Sequence, residues 1–218
     1  MQADFWHERW RGGKIGFHQN TVAPALKEHW PSLALPRGCQ VFVPLCGKSL
    51  DMLWLREHEH SVLGVELSEV AIDSFCMENG IPARRADVAG FDEYQAANLR
   101  LLCGDFFRLT PPALGSCAAV YDRAALVSWA SESRARYVDH LTELTPRGCQ
   151  TLLITCEYPQ AEMTGPPFSV DAECVDRLYS AHHEIRRLHR EDILATEPKW
   201  QARGLTQLHE TYYHLTRF

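Results

Sequence analysis

A chain of 218 residues is long enough to bury a full core, and 45% hydrophobic with 23% charged residues is the composition of a soluble globular protein. A net charge of −6 without a basic block lacks the footprint of nucleic-acid binding, and no apolar run approaches the roughly 18 residues of a membrane span. The eight cysteines stand singly, with no CxxC pair, so they read as reduced core residues of a cytoplasmic protein rather than a disulfide frame or a zinc site.

In chain order, the start MQADFWHERWRGGK has no apolar core of a signal peptide, and residues 3–10 favour a short helix. Trp6 and Trp10 lie four apart, so both indoles share one face. That face is either a stripe packed on the core or part of a movable cover, with Gly12, Gly13 and Gly16 as hinges. A second helix is expected near residues 20–30, so the cover segment is drawn over 1–30.

Residues 41–66 carry the most information. Val41–Leu45 is an apolar strand, Pro44 and Gly47 mark a turn, and Leu50–Leu55 is a short helix entered through Ser49. Ser61–Val65 is a second strand with Glu66 at its carboxyl end, where ligands bind in open α/β sheets. A carboxylate about 20 residues after the first turn suits a ribose diol. The turn Leu45-Cys46-Gly47-Lys48-Ser49 has one glycine, whereas a dinucleotide pyrophosphate needs a glycine-rich approach. Gly47-Lys48-Ser49 resembles the end of a phosphate-binding P-loop, but that motif's first glycine falls on Phe42. A ribose without phosphates asks for fewer glycines, and S-adenosylmethionine (SAM) meets that requirement. A plain strand–helix–strand unit with Glu66 facing solvent is the structural alternative.

Further on, a helix is expected over Ala71–Asn79 and strands over Leu99–Cys103 and Cys117–Tyr121. A helix over Ser131–Leu144 and a strand over Cys149–Cys156 follow, then a helix over Ala172–Tyr179. Strand-like runs at His183–His189 and Gln207–Leu215 have no long helix between them, which predicts an antiparallel hairpin at one edge of a doubly wound α/β sheet. His58/His60 and His182/His183 read as solvated positions. Asp122-Arg123 sits at the mouth of the fourth strand, where the arginine binds an anion or closes an internal ion pair. Asp122 is not assigned as a general base, and no catalytic residue or metal ligand is assigned. Asp105 is either a cofactor contact or a cap of the next turn.

The stretches FWHERWRGGKIGFHQ, VFVPLCGKSLDMLWL, SVLGVELSEVAI, YDRAAL and GPPFSV resemble the thiopurine S-methyltransferase family in its bacterial form, over most of the chain. The resemblance implies one class I, Rossmann-like methyltransferase domain over 1–218, with helices on both faces of a seven-stranded sheet whose last strand is antiparallel. It implies SAM as cofactor, held by Trp6, Trp10, Leu45, Glu66, Asp105, Phe106 and Arg123, and a small-molecule thiol placed by Phe17 and Arg123. Tryptophans 6 and 10 become a mobile lid, and Gly165-Pro166-Pro167-Phe168 is either a pocket wall or a plain loop. The basic residue that mammalian members use in the C-terminal region is not carried over, because Thr196–Lys199 departs from that pattern. The expected reaction is methyl transfer to the sulfur of aromatic or heterocyclic thiols such as thiopurines, extending to selenium or tellurium compounds. It needs no nucleic-acid or membrane partner, and a monomer is expected. An O- or N-methyltransferase on the same fold, a P-loop-like nucleotide binder using Lys48 and a non-catalytic SAM sensor are the competing readings.

Overall fold

The computed structural model describes residues 3–218, so the first two residues of the cover segment lie outside the described residues. Among the described residues, short apolar runs alternating with amphipathic segments form nine strands and eight α-helices. Two units emerge, Met1–Tyr121 and Asp122–Phe218.

The first unit holds helices α1 (Ala3–Arg11) and α2 (Pro24–His29), strand β1 (Gln40–Pro44), α3 (Asp51–Glu57), β2 (Ser61–Glu66) and α4 (Glu69–Glu78). Then come β3 (Arg84–Val88), β4 (Phe91–Ala96), β5 (Leu99–Cys103), the one-turn α5 (Pro111–Leu114) and β6 (Ala119–Arg123), which runs into the second unit. The strands follow the order β3-β4-β5-β2-β1-β6. β1 is parallel to β2 and β6, and β2 is parallel to β5. Their apolar runs are buried on both faces, as central parallel strands are. At Gly64 of β2 even one methyl group would stand 2.7 Å from the Cys46 sulfur and 2.8 Å from Leu101, so close packing under the turn demands glycine. The chain leaves β1 toward β2 on one side and β6 on the other, so the order reverses at β1, and the carboxyl end of β1 is the topological switch point where ligands bind in such sheets.

The second unit holds α6 (Ser131–Leu144), β7 (Gln150–Glu157), α7 (Ala172–Tyr179), β8 (His183–Asp192), the one-turn α8 (Pro198–Gln201) and β9 (His209–Arg217). β9 lies between β7 and β8 and is antiparallel to both. The expected terminal hairpin is present, with β8 longer than predicted.

The seven-stranded expectation needs correction. The segment between α4 and β5, left without structure by sequence reasoning, forms the hairpin β3–β4, antiparallel to itself and to β5. β3 is a polar edge strand whose Arg85 pairs with Glu69 at 3.0 Å and Asp73 at 2.6 Å of α4. The expectation of solvated histidines holds for His58 and His182, which are exposed, and is corrected for their neighbours. His60 is buried and accepts the Trp30 indole N–H at 3.0 Å, and His183 is buried with its pKa lowered to about 4 by desolvation.

Candidate active site

The site grows from the turn after β1. Leu45 takes a left-handed backbone (φ 49°), a conformation that a branched side chain rarely adopts and that marks a backbone held for a purpose. The Cys46 N–H donates to the Val65 carbonyl at 2.9 Å, tying the turn to the end of β2. Gly47 follows with φ 53°, and its N–H donates to Glu66 Oε2 at 2.9 Å. The Ser68 N–H donates to Glu66 Oε1 at 2.8 Å. Glu66 is therefore not a solvent-facing residue. It is buried, and its oxygens take the backbone N–H groups of Gly47 and Ser68, with Leu67 acting on them as well, which leaves part of the carboxylate's acceptor capacity for a further donor. Burial raises its pKa from the ordinary carboxylate value, and the backbone donors of Ser68, Gly47 and Leu67 oppose the rise.

Trp10 covers this turn. It is buried, and a Cβ on Gly47 would meet its six-membered ring at 3.1 Å. Phe17 touches both tryptophans edge-to-face, with centroids 5.4 Å from Trp6 and 5.4 Å from Trp10. The structure thus brings Trp6, Trp10, Phe17, Gly47 and Glu66 into one continuous patch. Phe17 is 36% exposed and presents an open ring surface at its edge.

Asp105 and Phe106 stand differently. The Asp105 carboxylate is exposed and accepts the Phe107 N–H at 2.9 Å, which caps the 3₁₀ turn Phe106–Arg108. The Phe106 ring is buried and lies parallel to Phe42 at 6.4 Å.

In the second unit, Arg123 ends β6 and is half-buried, and Ala124 follows it with φ 68°. Asp122 is fully buried. Its oxygens accept the Leu126 N–H at 3.0 Å and the Tyr137 hydroxyl at 2.7 Å, and burial raises its pKa to about 6. These bonds make Asp122 the anchor of the loop after β6. The GPPF loop is held by the Tyr158 hydroxyl on the Pro167 carbonyl at 2.6 Å and by the Phe168 N–H on the Val127 carbonyl at 2.7 Å.

Sequence reasoning missed Asp51. It is fully buried, and accepts the Ala23 N–H at 2.8 Å and the Tyr121 hydroxyl at 2.9 Å, so it ties the starts of α2 and α3 to β6. An acid at the first position of an apolar helix was the available signal. Lys48, the residue a P-loop would aim at phosphates, donates to Glu78 at 2.7 and 2.9 Å instead.

The profile of the thiopurine S-methyltransferase family matches residues 1–218. The chain belongs to that family. A thiopurine S-methyltransferase of Nitrosospira multiformis is 48% identical over 215 residues, covering 99% of this chain and 98% of that protein. One from Bordetella parapertussis is 49% identical over 217 residues, covering 100% and 99%. Among solved structures, a SAM-dependent methyltransferase of Anabaena variabilis superposes with a TM-score of 0.67 at 14% identity, covering 99% of this chain and 95% of that one. A 1,6-didemethyltoxoflavin N1-methyltransferase of Burkholderia thailandensis, solved with S-adenosylhomocysteine, gives 0.65 at 14% identity, covering 98% and 87%. The fold is that of α/β methyltransferases, and SAM is the methyl donor. The donor set suits it, because Glu66 is an acceptor-only carboxylate with free lone pairs beside an aromatic cover, without a glycine-rich phosphate cradle.

Proposed function

We propose that the protein moves a methyl group from SAM to the sulfur of aromatic or heterocyclic thiols, thiopurines among them, and to selenium or tellurium compounds as equally soft nucleophiles. The observation that carries the cofactor half of this reading is the buried Glu66 carboxylate fixed by the Gly47 and Ser68 N–H groups under Trp10. The names of relatives at 48–49% identity support the thiol half. The unbroken match over 1–218 supports one methyltransferase domain, and eight free cysteines fit a reducing cytoplasm. A monomer is part of the same proposal.

When bound, SAM supplies an electrophilic methyl on a sulfonium. Glu66 accepts hydrogen bonds from the ribose, and the backbone of Leu45 lines the turn. Trp6 and Trp10 act as a lid that offers ring faces to a cation and excludes water. Asp105 and the backbone of Phe106 reach the adenine. Phe17 packs on the substrate ring, and Arg123 favours its thiolate and contacts the cofactor side. Such a displacement depends chiefly on alignment, so a strong protein base is not its first requirement.

Calorimetric titration with S-adenosylhomocysteine, followed by a thiopurine methylation assay on the same sample, tests the reading. Binding with methylation is expected. Binding with turnover only of oxygen or nitrogen nucleophiles would move the substrate class, and absence of binding would overturn the assignment of Glu66.

A further inference from the structure

In the second unit, a hydrogen-bonded chain that the family assignment does not use runs from the neighbourhood of Arg123 to the protein surface. Glu210 stands near the start of β9, opposite Cys156 at the carboxyl end of β7. It is partly buried, and the charge of Arg123 acts on it. The Tyr212 hydroxyl donates to Glu210 Oε2 at 2.9 Å and is also in short hydrogen-bond contact with Glu191 Oε1. Tyr212 is 3% exposed, whereas Glu191 on β8 is exposed.

The count of protons couples the two carboxyl groups through the phenol. A phenol has one hydrogen and two acceptor lone pairs. With two carboxyl groups against one hydroxyl, Tyr212 can donate to only one of them. The other contact is satisfied when that carboxyl carries a proton and donates to the phenol oxygen. A proton arriving on Glu210 therefore passes into the Tyr212 oxygen while Tyr212 gives its own to Glu191, which releases it to water. Burial raises the Tyr212 pKa, and hydrogen bonds to Glu191 and Glu210 raise it further, so the phenol stays neutral and acts as a conduit rather than a store. The groups facing Glu210 are Arg123 on β6, Cys156 on β7, Glu191 on β8, Glu197 before α8 and Tyr212 on its own strand. Burial foremost, with Glu191 and Glu197, raises the Glu210 pKa, against Tyr212 and Arg123, which lower it. A carboxylate so placed is a better proton acceptor than an exposed one.

We infer that Glu210, Tyr212 and Glu191 form a proton relay that takes the proton of a thiol substrate bound at Arg123 and delivers it to solvent. The inference rests on the S-methylation reading. In the step it serves, the bond from substrate sulfur to the methyl carbon forms. The sulfonium carbon–sulfur bond breaks, with its electron pair staying on the departing thioether. The thiol proton moves to Glu210, and one proton leaves from Glu191. Thiols that arrive ionised have no proton to lose and make no use of the relay, so the chain widens the substrate range toward weakly acidic thiols.

The test measures kcat/KM at pH 7 for a series running from acidic aromatic thiols such as nitrothiophenol, already thiolates, to weakly acidic arylalkyl thiols such as benzyl mercaptan, which are not. In Glu210→Gln, the weakly acidic thiols should lose roughly tenfold or more relative to the acidic ones, within the usual contribution of a general base. Tyr212→Phe, which breaks the chain in the middle, should show the same skew. Because both thiols compete for one folded population, the ratio does not depend on how much of a variant folds. Equal losses for all thiols, or none, would overturn the relay alone. A wild-type protein that binds S-adenosylhomocysteine but methylates no thiol in the series would overturn the S-methylation reading and the relay with it.

Discussion

Glu66 and Asp122 are both buried carboxylates at strand ends, yet their partners give them opposite uses. Glu66 takes backbone N–H groups on both oxygens and still has acceptor capacity left. Glu66→Gln has only one oxygen, so either the Gly47 or the Ser68 N–H would face an amide N–H. Losing a charged hydrogen bond costs about 1.5–3 kcal/mol, so S-adenosylhomocysteine affinity should fall roughly 10- to 100-fold in a titration. An unchanged affinity would remove Glu66 from the cofactor site. Asp122 is a stability residue, and its pKa fixes the sign of its effect. A folded-state value of about 6 against an ordinary 3.8 means that the native state holds the proton more tightly. The contribution of Asp122 is therefore present below pH 3.8 and is lost as pH rises through about 6. The difference is on the order of 3 kcal/mol. In urea unfolding, the stability of wild type relative to Asp122→Asn should fall by that amount between these two pH values, while the slope that remains in the variant comes from its other carboxyl groups, Glu66 and Glu210 among them. At this scale the sequence betrayed Glu66, because spacing and strand end agree. It hid Asp51, whose partners at Tyr121 and Ala23 come from segments that meet only in the folded chain, and Glu210, whose link to Glu191 through Tyr212 forms only when β8 pairs with β9.

Among the elements, the turn after β1 and helix α1 are fitted to each other. Gly47 has both a positive φ of 53° and a tryptophan ring 3.1 Å from where its Cβ would lie. Gly47→Ala meets two obstacles. The left-handed backbone costs roughly 1–2 kcal/mol for an L-residue, and Trp10 must retreat by a few tenths of an ångström. The expected result is a change in tryptophan fluorescence with a roughly tenfold weaker affinity for S-adenosylhomocysteine, the size that about 1.4 kcal/mol gives. An alanine variant with native fluorescence and affinity would show that α1 does not depend on the turn. The legible elements were those whose apolar periodicity is strong. The sequence places α6 at Ser131–Leu144 and α7 at Ala172–Tyr179 with the observed bounds, because each has a clear apolar face and Pro146 and Gly148 stop the first. The β3–β4 hairpin was not legible for two physical reasons. β3 is exposed and charged, as an edge strand that resists further pairing is, so no alternation marks it. Its turn is Ala89-Gly90, both with positive φ (55° and 79°), where an asparagine or aspartate would have signalled the two-residue hairpin.

On the scale of the whole chain, the competing cofactor classes separate by linkage. A ligand that binds only the folded protein stabilises it by about 2.7 kcal/mol at 100 times its dissociation constant. For a chain of this size each kcal/mol raises the thermal midpoint by roughly 2–4 °C, so S-adenosylhomocysteine at that excess should raise it by roughly 5–10 °C. Magnesium and ATP should leave the midpoint in place, because Lys48 is paired with Glu78 at 2.7 Å and Phe42 occupies the position of the first P-loop glycine. The same scan on Glu66→Gln separates site from fold. If the variant melts like wild type without ligand and its midpoint barely moves with it, the loss lies in binding. A midpoint that rises with ATP and not with S-adenosylhomocysteine would return the turn at residues 45–49 to the phosphate-binding reading, against the geometry of Glu66, whose negative carboxylate under Gly47 repels a phosphate where it would receive a ribose.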